Sequence, residues 1–494
     1  MAARLLRLLR RVLVLLVVAM AAILIVRAWD SQRGPPLEPW HTFVPRDLHA
    51  AEIDKTDWAS YLGHEDAIFR DVRREVVDKI DEEARTASNR YFAGSPIYPG
   101  NFRQDFNRSY SLEPSGPPVG AVVLLHGLTD SPYSLRHVAR RYRDEGFVAI
   151  AIRMPAHGTV PAALTDVEWE DWDAATRLSV REARRRVGPS KPLHIVGFSN
   201  GGTLAMKYAL DSLEDDRLAR PDRVILISPM IGITSFARFV GFASLPALLP
   251  AFAKAAWLGI LPEFNPFKYN SFPVNGARQS HRLTVVLQDR IARAGREGRL
   301  ARLPPILTFQ SVVDFTVSTP AVISRLYAHL PANGSELVLF DLNRAAAVSP
   351  LLRSAAETVL SRILPAAPRN YRTVIVTNVA PDTYKVLARI TEAGTVDDHI
   401  HELALAFPPG IFSLSHVALP FPTTDSLYGM EPDQSEDFGV HLGAIAPRGE
   451  RGVLIVNLDA LLRVSSNPFF PYVLERIEQG IAQPTPDKPT PDKP

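Results

Sequence analysis

Gly197-Phe198-Ser199-Asn200-Gly201 follows without a break on the apolar run Leu193-His194-Ile195-Val196 and opens the small-residue series Gly202-Thr203-Leu204-Ala205-Met206. The run reads as a buried strand and the series has helical character, so the five residues occupy a strand-to-helix turn. This is the G-x-S-x-G pattern, in which a serine forced onto a tight turn projects its Oγ out of the sheet. The glycines answer a steric demand, because only residues without Cβ let neighbouring backbone pass that close. A helix beginning at Asn200 aims unpaired N–H groups and the positive end of its dipole at the same point. Ser199 is the candidate nucleophile.

Upstream, Gly120-Ala121-Val122-Val123-Leu124-Leu125 reads as another buried strand and runs into His126-Gly127-Leu128-Thr129-Asp130-Ser131-Pro132. An H-G-x turn in this place is where hydrolases with such an elbow put the second oxyanion donor. Arg153-Met154-Pro155-Ala156-His157-Gly158-Thr159 and Trp169-Glu170-Asp171-Trp172 complete the set. Together these residues resemble the α/β-hydrolase family, in particular its branch of carboxylesterases and monoacylglycerol lipases. The two later stretches look like that branch's GHGxS/T loop, with alanine for the first glycine, and its W-x-D-W helix start. The resemblance runs from Val119 to about Leu330 and resumes around His416. It implies a mostly parallel sheet flanked by helices, a helical cap, and an oxyanion hole made of the Leu128 and Asn200 backbone N–H groups.

In this chain order an acid and then a histidine must follow Ser199. Arg223 to Pro229 and Pro305 to Asp314 read as the next strands. Asp314 ends the second, ahead of a helix near Thr319-Pro320, where the family's triad acid resides; Asp341, after Ser335 to Phe340, is its rival. No histidine follows Phe340 until His399, which implies an insertion holding a helix at Val348 to Leu364 and strands at Tyr371 to Thr377 and Tyr384 to Ile390. His399, His401, His416 and His441 are the candidates. Leu414-Ser415-His416-Val417 resembles the family's triad-histidine loop, so His416 is the expected base. His399 and His401 would share a strand face as a metal pair does, but lack a third ligand of convincing spacing. His126 and His157 read as braces of their turns, and His194 as a satisfied core side chain.

Lys and Arg number 55 against 53 Asp and Glu, which leaves no nucleic-acid footprint. The absence of cysteine excludes disulfides, Cys-ligated zinc and a thiol nucleophile. No internal repeat of solenoid period is present, and the length fits one enlarged catalytic domain with appendages. Arg4, Arg7, Arg10 and Arg11 precede the apolar run Val12 to Val26, which covers about 22 Å as helix against roughly 30 Å of hydrocarbon. Snorkelling arginines and flanking apolar residues could extend it. Residues 1–29 are therefore expected as an uncleaved signal anchor, with the catalytic domain on the exported side. A cleaved signal peptide is the alternative.

Residues 30–105 read as a membrane-proximal spacer and N-terminal extension, in which Asp54, Asp57, Glu65 and Asp66 form a solvated acidic face. The catalytic domain is expected over 106–480, with a cap at about 235–301 and the insertion at about 343–410. Residues 481–494, with Pro-Thr-Pro-Asp-Lys repeated, read as a disordered tail. The apolar stretch Phe236 to Leu261 in the cap favours a hydrophobic acyl or alkyl substrate. The expectation is thus a cofactor-free, metal-free serine esterase. A thioesterase or acyltransferase would use the same triad, and a membrane-anchored scaffold with a vestigial site is the non-catalytic alternative.

Overall fold

Successive residues of a strand point to opposite faces, so a run that is apolar throughout needs cover on both sides. The computed structural model, which describes residues 2–31, 34–232, 250–346, 358–444 and 463–482, supplies that cover. Its main sheet has ten strands. The first five are β1 (Tyr110–Leu112), β2 (Gly120–Leu125), β3 (Phe147–Ile152), β4 (Leu193–Phe198) and β5 (Arg223–Ile227). A separate antiparallel ribbon pairs β6 (Trp257–Gly259) with β7 (Phe272–Pro273). The main sheet resumes with β8 (Ile306–Ser311), β9 (Glu336–Phe340), β10 (Arg372–Asn378), β11 (Lys385–Thr391) and β12 (Asp398–Ala406).

The spatial order is β1-β3-β2-β4-β5-β8-β9-β10-β11-β12. From β3 to β10 every neighbouring pair is parallel, and the outer pairs are antiparallel. On one face Val123 and Ile195 pack with Leu178 of helix Trp169–Val187 and Leu204 of helix Asn200–Asp211. On the other, Val122, Leu124 and Val196 meet Tyr142 of helix Arg136–Asp144 and Ile477 of helix Phe470–Ala482. This is the expected α/β architecture. Strands β10 to β12 come from the segment read as an insertion, and they widen the sheet beyond β9. The outermost, β12, is largely exposed.

Between β5 and β8 the long helix Val274–Arg296 lies along Asn200–Asp211 and sends Leu283, Leu287 and Ile291 into the core. Residues 233–249, which hold most of the apolar stretch expected in the cap, lie outside the described residues, as do 347–357 and 483–494.

Two expectations for the amino-terminal part need correction. A helix does run over Ala2–Ser31, but among the described residues no helix is long and apolar enough to cross a membrane. The arginines occupy the first turns, and the apolar run that remains is shorter than the hydrocarbon layer. The transmembrane anchor is therefore not supported. Nor is the acidic set one solvated face: Glu65 is buried against Arg153 and Ser109, Asp57 caps helix Trp58–Glu75 through Ser60 N–H, and Asp54 and Asp66 pair with Arg177 and Arg108. From Trp40 onward the extension packs on the catalytic body, with Trp58 and Tyr61 in the main core and Ile68 and Val72 in a cluster with Trp257.

Candidate active site

The turn after β4 carries Ser199 at φ 54°, ψ −116°, a conformation that L residues rarely adopt. The surroundings hold it there. Ser199 N–H donates to Ile227 O at 3.0 Å, and Ser199 O accepts the Gly202 and Met230 N–H groups, each at 3.0 Å. The pattern glycines are required by backbone contact: a Cβ on Gly197 would lie 2.3 Å from Gly201 O, and one on Gly201 would lie 2.0 Å from Leu125 O. Helix Asn200–Asp211 begins at the next residue, so the Asn200 N–H is one of the first-turn donors without an intrahelical acceptor. Its side chain is fixed by Ser280, whose Oγ donates to Asn200 Oδ1 at 2.7 Å.

Asp314 and His416, a hundred residues apart, meet Ser199 in one hydrogen-bonded series. His416 Nε2 lies 3.0 Å from Ser199 Oγ, and its Nδ1 lies 2.9 Å from Asp314 Oδ2. Asp314 Oδ1 accepts the N–H groups of Thr316 and Val317 at 2.8 and 3.0 Å, and Gln310 Nε2 donates to Oδ2 at 3.2 Å. Burial alone would raise the Asp314 carboxyl, but the His416 imidazole and the two N–H groups outweigh it and hold the group below its ordinary range. An ionised Asp314 keeps the proton on Nδ1 and leaves Nε2 free to accept from the serine hydroxyl. Phe198 stacks on the imidazole at 5.3 Å between ring centres, and Ser311 Oγ anchors the histidine loop by donating to Leu414 O at 2.9 Å.

The oxyanion turn passes beside the serine: a Cβ on Gly127 would lie 3.2 Å from Ser199 Cβ. Among the described residues no protein acceptor is recorded for the N–H of Leu128 or Asn200. Both are available to a ligand. His126 braces this turn, with Nδ1 2.9 Å from Gly127 O and Nε2 accepting Met154 N–H at 3.0 Å. Burial drives its imidazole far below the usual histidine range, His157 beside it is lowered to about 4 by burial, and His194, bonded to Tyr142, to about 3 for the same reason. All three are neutral near pH 7.

The rival residues lie elsewhere. Asp341 directly follows β9 and accepts from Thr377 Oγ1 at 3.0 Å. His399 and His401 are exposed on β12, and His441 Nδ1 pairs with Ser426 O at 2.8 Å. Among the described residues no group of three or more His, Cys, Asp or Glu could hold a metal ion.

One structural hub was invisible in the sequence. Asp425, fully buried, accepts from Tyr133 Oη at 3.0 Å, from the N–H groups of Leu427 and Tyr428 at 3.0 and 2.7 Å, and from the Arg136 guanidinium, and it lies 2.9 Å from His137 Nε2. It thereby ties the loop beyond His416 to the helix beyond the oxyanion turn. Its side-chain partners are nearly three hundred positions away, and no local pattern marks it.

Known proteins share parts of this sequence and fold. A thermostable monoacylglycerol lipase of Bacillus sp. (strain H-257) is 32% identical over 92 residues, which are 19% of this chain and 35% of the lipase. The match thus spans about a third of that relative's length. Among solved structures, one from work on the metagenome-derived lipolytic enzymes LipS and LipT has 21% identity and a TM-score of 0.39, covering 52% of this chain and 97% of that one. The Paleococcus ferrophilus monoacylglycerol lipase has 17% identity and a TM-score of 0.34, covering 51% and 99%. The profile of the Alpha/beta hydrolase family matches residues 122–376, just over half of the sequence, and the chain belongs to that family.

Proposed function

We propose that the protein is a serine hydrolase of carboxylic esters with hydrophobic acyl or alkyl groups. The observation that carries this reading is the continuous series Asp314–His416–Ser199, with hydrogen bonds of 2.9 and 3.0 Å. His416 Nε2 takes the hydroxyl proton as Ser199 Oγ bonds to the substrate carbonyl carbon, and Asp314 stabilises the imidazolium. The negative oxygen is received by the N–H groups of Leu128 and Asn200, a contribution of about 3 to 4 kcal/mol per donor in comparable sites. As the tetrahedral species collapses, the ester C–O bond breaks and His416 returns its proton to the departing alkoxide. Water, deprotonated by the same imidazole, then releases the acid and restores Ser199.

The partial likeness to a monoacylglycerol lipase supports the choice of substrate class. The test is labelling with a fluorophosphonate together with turnover of short and long p-nitrophenyl esters. Labelling of the wild-type chain that persists in Ser199→Ala would remove the assignment. Product analysis with added alcohol separates hydrolysis from acyl transfer.

We also propose that the catalytic domain lies on the exported side. Four arginines preceding an apolar run support this. Recovery of the chain from the cytoplasmic fraction of fractionated cells would overturn it.

A further inference from the structure

Arg153, at the end of β3, is 1% exposed, and among the described residues both of its ion-pair partners come from the N-terminal extension. Its Nη2 and Nη1 donate to the two oxygens of Asp47 at 2.7 and 3.0 Å, and its Nε donates to Glu65 Oε2 at 3.1 Å. The extension grips the backbone as well. Asp47 Oδ2 accepts Ala156 N–H at 2.7 Å, where Ala156 has φ 68°, and Tyr61 Oη donates to Arg153 O at 2.7 Å. Ser109 Oγ, itself donating to Glu65, accepts Arg153 N–H at 2.8 Å.

The loop held in this way reaches the oxyanion turn. Met154 N–H donates to His126 Nε2 at 3.0 Å. A backbone N–H can only donate, so Nε2 is the bare nitrogen and Nδ1 carries the proton. That Nδ1–H donates to Gly127 O at 2.9 Å, with Asp130 N–H a more distant second donor at 3.4 Å. Gly127 C=O and Leu128 N–H belong to one planar peptide unit, so gripping the oxygen sets the direction of the N–H.

We propose that Asp47 and Glu65 are positioning residues of the active site, which act through Arg153, Met154 and His126 to aim the Leu128 N–H at the oxyanion. The extension over residues 40–105 is then a working part of the catalytic centre. Removing either carboxylate leaves a buried guanidinium under-compensated, and its relaxation moves the loop that His126 leans on. This proposal rests on the ester-hydrolase reading above.

The test uses the full chain carrying Asp47→Asn or Glu65→Gln, each alone and combined with His126→Ala, and reads kcat, KM and inhibition by an alkyl boronic acid that mimics the tetrahedral state. The expected kcat loss is about tenfold or more, short of the 10² to 10³ that outright loss of an oxyanion donor costs. KM stays within about twofold and boronate affinity weakens in step with kcat, the signature of an interaction made in the transition state. In the His126→Ala background, Asp47→Asn adds nothing further. Glu52→Gln, at a half-buried position of the same extension away from Arg153, keeps the wild-type rate. Should Asp47→Asn fail to fold, Asp47→Glu keeps the charge but shifts the carboxylate by one methylene, and the same kcat loss is expected of it. Unchanged kcat and boronate affinity in folded variants, a change in KM alone, or full additivity with His126→Ala overturns the proposal. A wild-type chain that neither turns over esters nor takes the fluorophosphonate overturns the enzymatic reading first, and the proposal with it.

Discussion

Ser199 sits in a strained conformation that costs of order 1 to 3 kcal/mol, and three backbone hydrogen bonds hold it there. Such a site is expected to lose activity steeply with any member of its series. Ser199→Ala and His416→Ala should each lower kcat on p-nitrophenyl esters by about 10⁶, whereas His399→Ala and His401→Ala, on the exposed edge strand, should keep wild-type rates. Equal losses in the His399 or His401 variants would show that His416 is not the base. Asp314 sets an acid limit. Burial raises its carboxyl, yet His416 and the loop N–H groups bring it below the ordinary 3.8. A carboxyl depressed in the folded state contributes stability above its unfolded pKa, and this is lost as pH falls through the folded value. The melting temperature followed by circular dichroism should therefore fall below about pH 4, and Asp314→Asn should flatten that part of the curve. An identical acid limb in the variant would dissociate Asp314 from the effect.

At the scale of elements, the site depends on how closely β2, β4 and the elbow helix approach. A Cβ on Gly201 would meet the Leu125 carbonyl at 2.0 Å, and a strand backbone cannot turn aside as a flexible side chain can. Gly201→Ala should therefore cost about 1 to 3 kcal/mol in urea denaturation and displace Ser199 enough to lower turnover. Stability and kcat both at wild-type level would mean that β2 yields more easily than its contacts suggest. The Asp425 hub joins two further elements, and Arg136, which it neutralises, is 1% exposed. Asp425→Ala leaves that guanidinium with only the more distant Glu436, 3.5 Å from Nη2, a loss of about 3 to 5 kcal/mol. Since the same carboxylate steadies the segment following His416, turnover should fall in molecules that remain folded. Denaturation and single-turnover acylation measured on one preparation separate the two effects.

Across the whole molecule, the amino-terminal residues divide into a helix with exposed apolar side chains and an extension built into the core. Trp58 and Tyr61 share the main cluster with Val123 and Ile195, and Asp47 and Glu65 neutralise Arg153. Deleting residues 1–33 should leave the melting temperature within a few degrees of wild type. Deleting 1–105 removes this packing and strands a buried charge, a combined loss comparable to a whole domain's stability of about 5 to 15 kcal/mol. That truncation is expected to be recovered unfolded or insoluble. A soluble, cooperatively melting 106–494 fragment would show that the extension is dispensable to the fold.

Local chemistry made much of this legible in the sequence. The runs at Gly120–Leu125 and Leu193–Phe198 had to be two-sided strands because no residue in them offers a solvent face, and a serine between glycines after such a strand has few places to go. Asp314 and His416 were legible through the resemblance of their surroundings to the family's motifs, and the fold brings both to Ser199 across the inserted segment. Tertiary structure alone decided the fate of charges. Glu65 reads as solvated in a helix of mixed polarity, and only the approach of Arg153, 88 positions later, makes it a buried partner. Asp425 likewise gained its role from Tyr133, Arg136 and His137, nearly three hundred positions before it. Hydrophobic periodicity is a property of neighbours in the chain, whereas a buried ion pair is a property of neighbours in space.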